Sequence, residues 1–303
     1  DINLEAGGGS QAEQTAKIMI GYETLLKKQS PDFCLVVGDV TSTMSCSIVA
    51  KKANIKLIHV EAGIRSWDLS MPEEINRMII DSISDYFFTT SRQANENLLS
   101  FGIREEKIFY VGNTMIDTLT KYKRKLIRPK IWAEAKLKKK SYIVMTLHRP
   151  TNVDDKVRLK RIIKEFHKNL EGIPIIFSAH PRTLKQIDNL DIVLPDLHII
   201  QPLSYLEFNY LVKSSMAVIT DSGGISEETT IMKVPCMTLR NNTERPETVS
   251  IGTNVLLGLD YKSIKPAIKK LILGKWKKGG TPALWDGKAS RRIIECIIKL
   301  ESN

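Results

Sequence analysis

No apolar run in this chain exceeds about five residues, against the ~18 or more a membrane-spanning helix needs, so a membrane span is excluded. No charged stretch followed by an apolar one opens the chain, and nothing signals secretion. Cysteine is scarce. The four, Cys34, Cys46, Cys236 and Cys296, share no short paired spacing, which argues against a disulfide-stapled scaffold. Cys34 and Cys236 lie in apolar, strand-like runs where a buried free thiol is the ordinary reading, and this favours a reducing cytoplasm. No repeat of roughly 20–50 residues links the two halves, so a solenoid is excluded. Neither a Walker loop nor a dinucleotide fingerprint occurs, and no His/Asp spacing supports a dedicated metal cage. The net charge of +11 suggests nucleic acid until its location is read. Residues 121–140 hold ten Lys/Arg and one Glu, so +9 of the +11 is local; a solvated face explains it, and no nucleic-acid partner is expected.

What is present is an ordinary globular composition, 303 residues with 42% hydrophobic and 26% charged, long enough for two domains of roughly 150 residues each. From Phe33 to Asn113 short β-branched runs alternate with helix-period stretches: FCLVVGD, KLIHVEA, PEEINRMIIDSIS, YFFTTS, RQANENLLSFG, KIFYVGN. After a basic stretch containing Pro129 the alternation restarts at SYIVMTLH and continues through IPIIFSAH, LHIIQPL, MAVITDSGG, VPCMTLR and TNVLLG. Continuous apolar strands, each followed by a helix, imply parallel sheets covered on both faces. The expected fold is α/β, two Rossmann-like doubly wound parallel-sheet domains facing a cleft. The first would span 1–117, joined by a C-terminal helix over 289–303; 118–140 would be a basic linker or helix, and 141–288 the second domain.

A doubly wound sheet presents its carboxyl edge to ligand, so polar residues at strand ends carry the information. Asp39, in GDVTST, stands where a strand meets a helix; capping alone could account for it. Glu61 ends the apolar run KLIHVEA, where a carboxylate is costly to bury without a purpose, whereas His59 in mid-strand reads as a hydrogen-bonded core residue. In MPEEINR, Pro72 suits a first helical turn, Glu73 and Glu74 suit the positive helix end, and Arg77 lies one turn on from Glu73. Asp39, Glu61 and Glu73 gathered at one sheet edge would couple their titrations and suit proton transfer, with metal binding as the competing reading. TLHRP aims His148 and SAHPRT aims His180 off successive strands, where both suit an anionic ligand or a solvated turn; His167 and His198 have no motif around them. TDSGGISEE gives a strand, two glycines and a helix, the recipe for a phosphate cradle at Ser222, Gly223 and Gly224. Glu228, one turn into that helix, could reach a ribose diol. The loop RNNTERPE adds Arg245 to the same edge.

Taken in order, GDVTST, HVEAGIRS, MPEEINR, VGNTMIDT, TLHRP, DSGGISEE and NNTERPE resemble the non-hydrolysing UDP-N-acetylglucosamine 2-epimerases over nearly all of the chain. The resemblance implies a GT-B type architecture with a UDP-binding second domain. It also implies inversion at C2 of a UDP-2-acetamido sugar without a cofactor, by anti elimination of UDP to a 2-acetamidoglucal and re-addition. It assigns acid/base roles among Asp39, Glu61 and Glu73. Arg77 and His148 would hold the diphosphate and departing charge, Ser222 to Gly224 the phosphates, and Glu228 the ribose. Uracil falls to backbone near Leu203 and Phe208. A homodimer is the family expectation. The family's opening strand and Gly-Thr-Arg-Pro-Glu loop are absent, and the first residue is Asp1 rather than Met, so the expectation is a first domain truncated at its N-terminus. Relatives with these motifs act on UDP-GlcNAc, on UDP-diacetamido-glucuronic acid or on other 2-acetamido sugars. A GT-B glycosyltransferase and an inactive UDP-sugar binding module remain open beside them.

Overall fold

A computed structural model describes residues 2–187, 190 and 192–301. In chain order the first elements are α1 (Gln11–Leu26), β1 (Phe33–Val37), α2 (Thr41–Lys52), β2 (Lys56–Ala62), α3 (Pro72–Ile83), β3 (Tyr86–Thr89), α4 (Arg92–Ser100) and β4 (Ile108–Tyr110). There follow α5 (Thr114–Tyr122), α6 (Ile131–Glu134), β5 (Ile143–Thr146), α7 (Pro150–Val153), α8 (Lys156–Leu170), β6 (Ile175–Ser178) and α9 (Pro181–Ile187). The chain continues through β7 (Leu197–Ile200), α10 (Tyr205–Ser214), β8 (Ala217–Thr220), α11 (Gly223–Met232) and β9 (Cys236–Thr238). It closes with α12 (Pro246–Ser250), β10 (Asn254–Leu256), α13 (Ile264–Ile272) and α14 (Ala289–Glu301). Two compact units result, residues 1–114 with 288–303, and residues 115–287.

Unit 1 is a parallel four-stranded sheet in the order β1-β2-β3-β4. Successive strand residues point to opposite faces, so each strand feeds two cores. Cys34, Val36 and Leu57 pack with Ala50 of α2 and Ile80 of α3 on one face. Ile58, Val60 and Phe88 meet Ile293 of α14 on the other, which is how the C-terminal helix comes to belong to this unit. Ser10 caps α1 through a reciprocal pair, its hydroxyl accepting from the Glu13 N–H while the Glu13 carboxylate accepts from the Ser10 N–H. β1 is an edge strand with Leu35 and Val37 exposed. A hollow of about 1200 Å³ opens beside Phe33 and Lys56, the first residues of β1 and β2, and so lies at the opposite end of these strands from Asp39 and Glu61.

Unit 2 is a parallel six-stranded sheet ordered β10-β9-β8-β5-β6-β7. β5, β6 and β8 are apolar up to their final hydroxyl residues, Thr146, Ser178 and Thr220, because helices cover both faces. Ile143, Met145, Phe177 and Ile219 pack against Ile163 and Phe166 of α8 and Ile268 of α13, while Tyr142, Val144, Ile176 and Val218 pack against Leu211 and Val212 of α10. The basic segment expected as a linker is part of this unit, anchored by buried Ile131 and Leu137 in the second of those cores. Chain order runs outward from β5 in one direction through β6 and β7, then returns to β8 and runs the other way. The strand order therefore reverses between β5 and β8, and in such sheets a crevice opens at the carboxyl ends of those two strands. Among the described residues no helix is long and apolar enough to cross a membrane.

Candidate active site

In unit 2 the register decides which side chains leave the carboxyl edge together. Thr146, Thr220 and Thr238 align across β5, β8 and β9, so His148, Asp221 and Arg240 follow side by side from the reversal point. Asp221 is fully buried and organises the group. Its carboxylate accepts the backbone N–H of His148 at 3.1 and 3.2 Å, that of Arg149 at 3.0 Å and the amide of Asn152 at 3.0 Å. The His148 Nδ1 lies 2.9 Å from Asp221 Oδ1, and the His148 side chain is 48% exposed, so the ring is fixed at one nitrogen and open elsewhere. Burial pushes the Asp221 carboxyl up, but His148, Asn152 and the Arg149 N–H outweigh it and hold it below the ordinary carboxylate range. A second anion, Glu244, lies 2.6 Å from Arg240 Nη2 and 3.7 Å from Arg149 Nη2. Burial pushes Glu244 up, while Arg240 and Arg245 bring it down to about 2.

Between these groups α11 begins. Ser222 is its N-cap residue but its side chain makes no capping bond, and Gly223 and Gly224 form the first turn, so backbone N–H groups and the positive helix end are presented without a Cβ over them. A Cβ on Gly223 would stand 2.7 Å from Glu244 Oε1. Further along α11, Glu228 is buried, with its pKa raised by that burial and the rise opposed by hydrogen bonds to Tyr205 and Asn209 of α10. Phe208 is half-buried on α10 and Leu203 half-buried in the loop before it, both packed on the β5–β8 core face.

In unit 1, Gly38 follows β1 with a left-handed backbone, φ 71°, and Asp39 comes next. Glu61 also has a left-handed backbone, φ 71°, which is strained for a residue with a side chain, and it occupies a bulge where the β2–β3 register shifts between Val60 and Ala62. Its Oε1 is 3.5 Å from the Thr114 hydroxyl. Gly63 closes the turn, and no other residue fits, since a Cβ there would meet the Ala94 carbonyl oxygen at 2.3 Å. α3 opens with Pro72 at its first turn, as the sequence reading required. Glu73 is exposed at the helix start, whereas Glu74 is fully buried and accepts from the Ser66 N–H and hydroxyl and the Trp67 N–H. Arg77 pairs with Glu74 at 3.1 Å, one turn away, and with Asp39 at 3.4 Å. Glu73 and Glu74 both lie about one turn from Arg77, and it is the buried Glu74 rather than the exposed Glu73 that pairs with it.

The other two expected contact residues, His180 and Arg245, also have partners within unit 2. His180 is exposed after β6, its Nδ1 accepting from the Arg182 N–H. Arg245 is buried with Nε 2.6 Å from Glu227 Oε1, an internal ion pair of the α11–α12 region. The sequence does not single out Asp221, Arg149, Asn152 or Glu244, although all but Asn152 stand inside the motifs quoted above, and it offers Glu74 only as a residue suited to the helix start. Among the described residues no group of three or more His, Cys, Asp or Glu could hold a metal ion.

A family model described as UDP-N-acetylglucosamine 2-epimerase matches residues 1–298. The chain belongs to the UDP-N-acetylglucosamine 2-epimerase family. This member is 42% identical over 305 residues to the UDP-N-acetylglucosamine 2-epimerase of Methanocaldococcus jannaschii, covering 97% of this chain and 83% of the relative. It is 35% identical to the UDP-2,3-diacetamido-2,3-dideoxy-D-glucuronate 2-epimerase of Pseudomonas aeruginosa, over 99% of this chain and 84% of that protein. The crystal structure of the M. jannaschii UDP-GlcNAc 2-epimerase in complex with UDP-GlcNAc and UDP superposes with a TM-score of 0.88 at 41% identity, covering 99% of this chain and 84% of that chain. The family and the two parallel-sheet domains expected from the motifs are therefore shown.

Proposed function

We propose that this epimerase inverts C2 of a UDP-2-acetamido sugar, converting UDP-GlcNAc to UDP-ManNAc. The observation that carries the reading is the carboxyl edge of unit 2, where an Asp221-anchored His148 flanks an uncapped Gly-Gly helix start at the strand reversal. Such an edge suits a diphosphate: backbone N–H groups from Ser222 to Gly224 take the phosphate oxygens, and His148 presents its open nitrogen to the departing charge. Glu228 takes the ribose hydroxyls, and the segment from Leu203 to Phe208 takes uracil. Each well-aimed donor to a leaving diphosphate contributes about 3 kcal/mol to the transition state.

The chemistry asks for two proton-transfer groups on opposite faces of the sugar. A base removes the C2 proton, its electron pair forms the C1–C2 double bond, and the C1–O bond breaks to release UDP. An acid then returns a proton to the other face of C2 while UDP re-forms the bond at C1. Asp39 just after β1, Glu61 at the end of β2 and Glu73 in the first turn of α3 are the groups assigned to these transfers. The strained backbone of Glu61 supports its place among them, because strain of this kind survives where geometry is required. His180 and Arg245 are outer contacts of the same nucleotide edge. Four cysteines without a disulfide partner fit a reducing, cytoplasmic setting.

The test is proton NMR with UDP-GlcNAc in deuterated water. Deuterium at C2 with UDP-ManNAc appearing is the expected result; UDP binding without exchange overturns it. The P. aeruginosa relative favours a second substrate, so the same experiment with UDP-2,3-diacetamido-glucuronate decides which sugar turns over faster.

A further inference from the structure

His59 lies fully buried in β2, two residues before Glu61. Its Nε2 is 3.0 Å from the Gly38 carbonyl oxygen and its Nδ1 is 2.7 Å from Asp81 Oδ1. A carbonyl oxygen only accepts, so Nε2 carries a hydrogen. The second nitrogen depends on who owns the remaining proton. Asp81, buried on α3, already accepts the Gly63 N–H at 3.1 Å on its other oxygen, which also lies 2.6 Å from Arg65 Nη1. Burial alone would favour a neutral carboxyl, but the Arg65 guanidinium at 2.6 Å and the Gly63 N–H, both on the oxygen that His59 does not touch, favour the ionised form without any help from the imidazole. An ionised Asp81 has no proton to give, so Nδ1 donates as well. A neutral imidazole has a single N–H and cannot make both contacts.

We propose that His59 is a buried imidazolium clamp, held between Asp81 and the Gly38 carbonyl, that positions the Gly38–Asp39 turn and the Glu61–Gly63 turn for proton transfer at C2. The positioning role rests on the epimerase reading given above; the protonation state does not. Through His59 the Asp81 carboxylate reaches the turn that carries Asp39, and directly through the Gly63 N–H it reaches the turn that carries Glu61. Asn76, on the same helix, adds a third tie by donating to the Asp39 carbonyl at 2.8 Å. Asp81 from α3 is the charged group in contact with the ring, Arg65 from the loop after β2 lies on the far oxygen of Asp81, and the turn after β1 faces the ring with the Gly38 carbonyl. With both side chains enclosed, neither His59 nor Asp81 exchanges protons with substrate, and both are positioning residues.

The protonation state is read by ¹⁵N NMR of the histidine-labelled chain at pH 7.5, with His59→Gln supplying the assignment. Two protonated ring nitrogens at His59 are expected; a single N–H overturns the clamp whatever the activity of the chain. Positioning is read separately, by C2 deuterium exchange and UDP affinity in His59→Gln and Asp81→Asn. Misplacing a catalytic group by about 1 Å costs on the order of 100-fold, so kcat for exchange is expected to fall by roughly that factor while the UDP dissociation constant stays within about twofold. Unchanged kcat in a folded variant overturns the positioning role. Absence of exchange in the unaltered chain would instead count against the epimerase reading, and the NMR result would stand on its own. If Asp81→Asn fails to fold, His59→Gln, whose amide can still donate to the Gly38 carbonyl, and the unaltered chain decide the matter.

Discussion

The Asp221 carboxylate, fully buried, lies 2.9 Å from the Nδ1 of His148 and also accepts that residue's own backbone N–H. Ring and main chain are thus fixed by one anion, and the orientation of the open nitrogen follows from a residue that itself stays out of solvent. Weakening a buried acceptor that satisfies several donors costs about 1–3 kcal/mol. Asp221→Asn is therefore expected to lower stability by about 2 kcal/mol and to lower kcat for C2 exchange more than it weakens UDP. Urea unfolding and single-turnover kinetics check this; a destabilised variant with normal kcat would show that His148 takes no part in the reaction.

The three carboxylates assigned to proton transfer differ in surroundings, and their amide variants should differ accordingly. Glu73 is exposed, so Glu73→Gln should change stability by less than about 0.5 kcal/mol. Asp39 lies 3.4 Å from Arg77, so Asp39→Asn should lose about 1 kcal/mol. Glu61→Gln keeps the left-handed backbone and should fold as before. At least two of the three should lose C2 exchange by 100-fold or more, an order of magnitude typical of lost general acid–base groups, with UDP binding retained. Normal exchange in all three would remove the carboxylate mechanism.

Gly223 offers a test of the phosphate cradle. A Cβ there would meet Glu244 Oε1 at 2.7 Å, and Glu244 is held in place by Arg240. Gly223→Val should weaken UDP at least tenfold, about 1.4 kcal/mol or more, and leave the unit 1 carboxylates untouched. Isothermal titration with UDP gives the answer, and an unaltered dissociation constant would sink the cradle.

The buried carboxylates of unit 2 shift in both directions, and their signs separate with pH. Glu244 titrates at about 2 in the folded chain against 4.5 as its ordinary value. A depressed native pKa gives stability that is present above the unfolded value and is lost as pH falls from about 4.5 through about 2, on the order of 3 kcal/mol for a shift of this size. Asp81 and Asp221, also depressed, act in the same direction. Glu228 is raised by burial, so it costs stability once the pH passes its unfolded value. Glu228→Gln should then raise the urea midpoint at pH 7, lose that gain below about pH 4.5, and weaken UDP. Midpoints measured from pH 2 to 7 test both signs, and an acid limb no shallower in Glu244→Gln would refute the first.

By itself the sequence determined which strands end in chemistry. Apolar runs closed by GD, EAG, TLHRP and TDSGG can be read without coordinates because a parallel strand covered on both faces gathers its polar residues at its edge, His59 inside β2 being an exception that needs its own buried partners. It also settled the two-sheet α/β architecture and, through seven motifs in order, the family. Tertiary structure alone decided which of two adjacent glutamates turns inward, since Glu73 and Glu74 read alike until α3 is packed and Arg77 claims Glu74. It decided that the basic segment is anchored in the second core rather than bridging two domains, because burial of Ile131 and Leu137 depends on neighbours far away in the chain. It decided the roles of Asp81 and Asp221 as well. A buried anion is defined by the donors that surround it, and those donors, Gly63 and His59 for one, His148 and Asn152 for the other, come from segments 18 to 73 residues distant that only folding brings within hydrogen-bond reach.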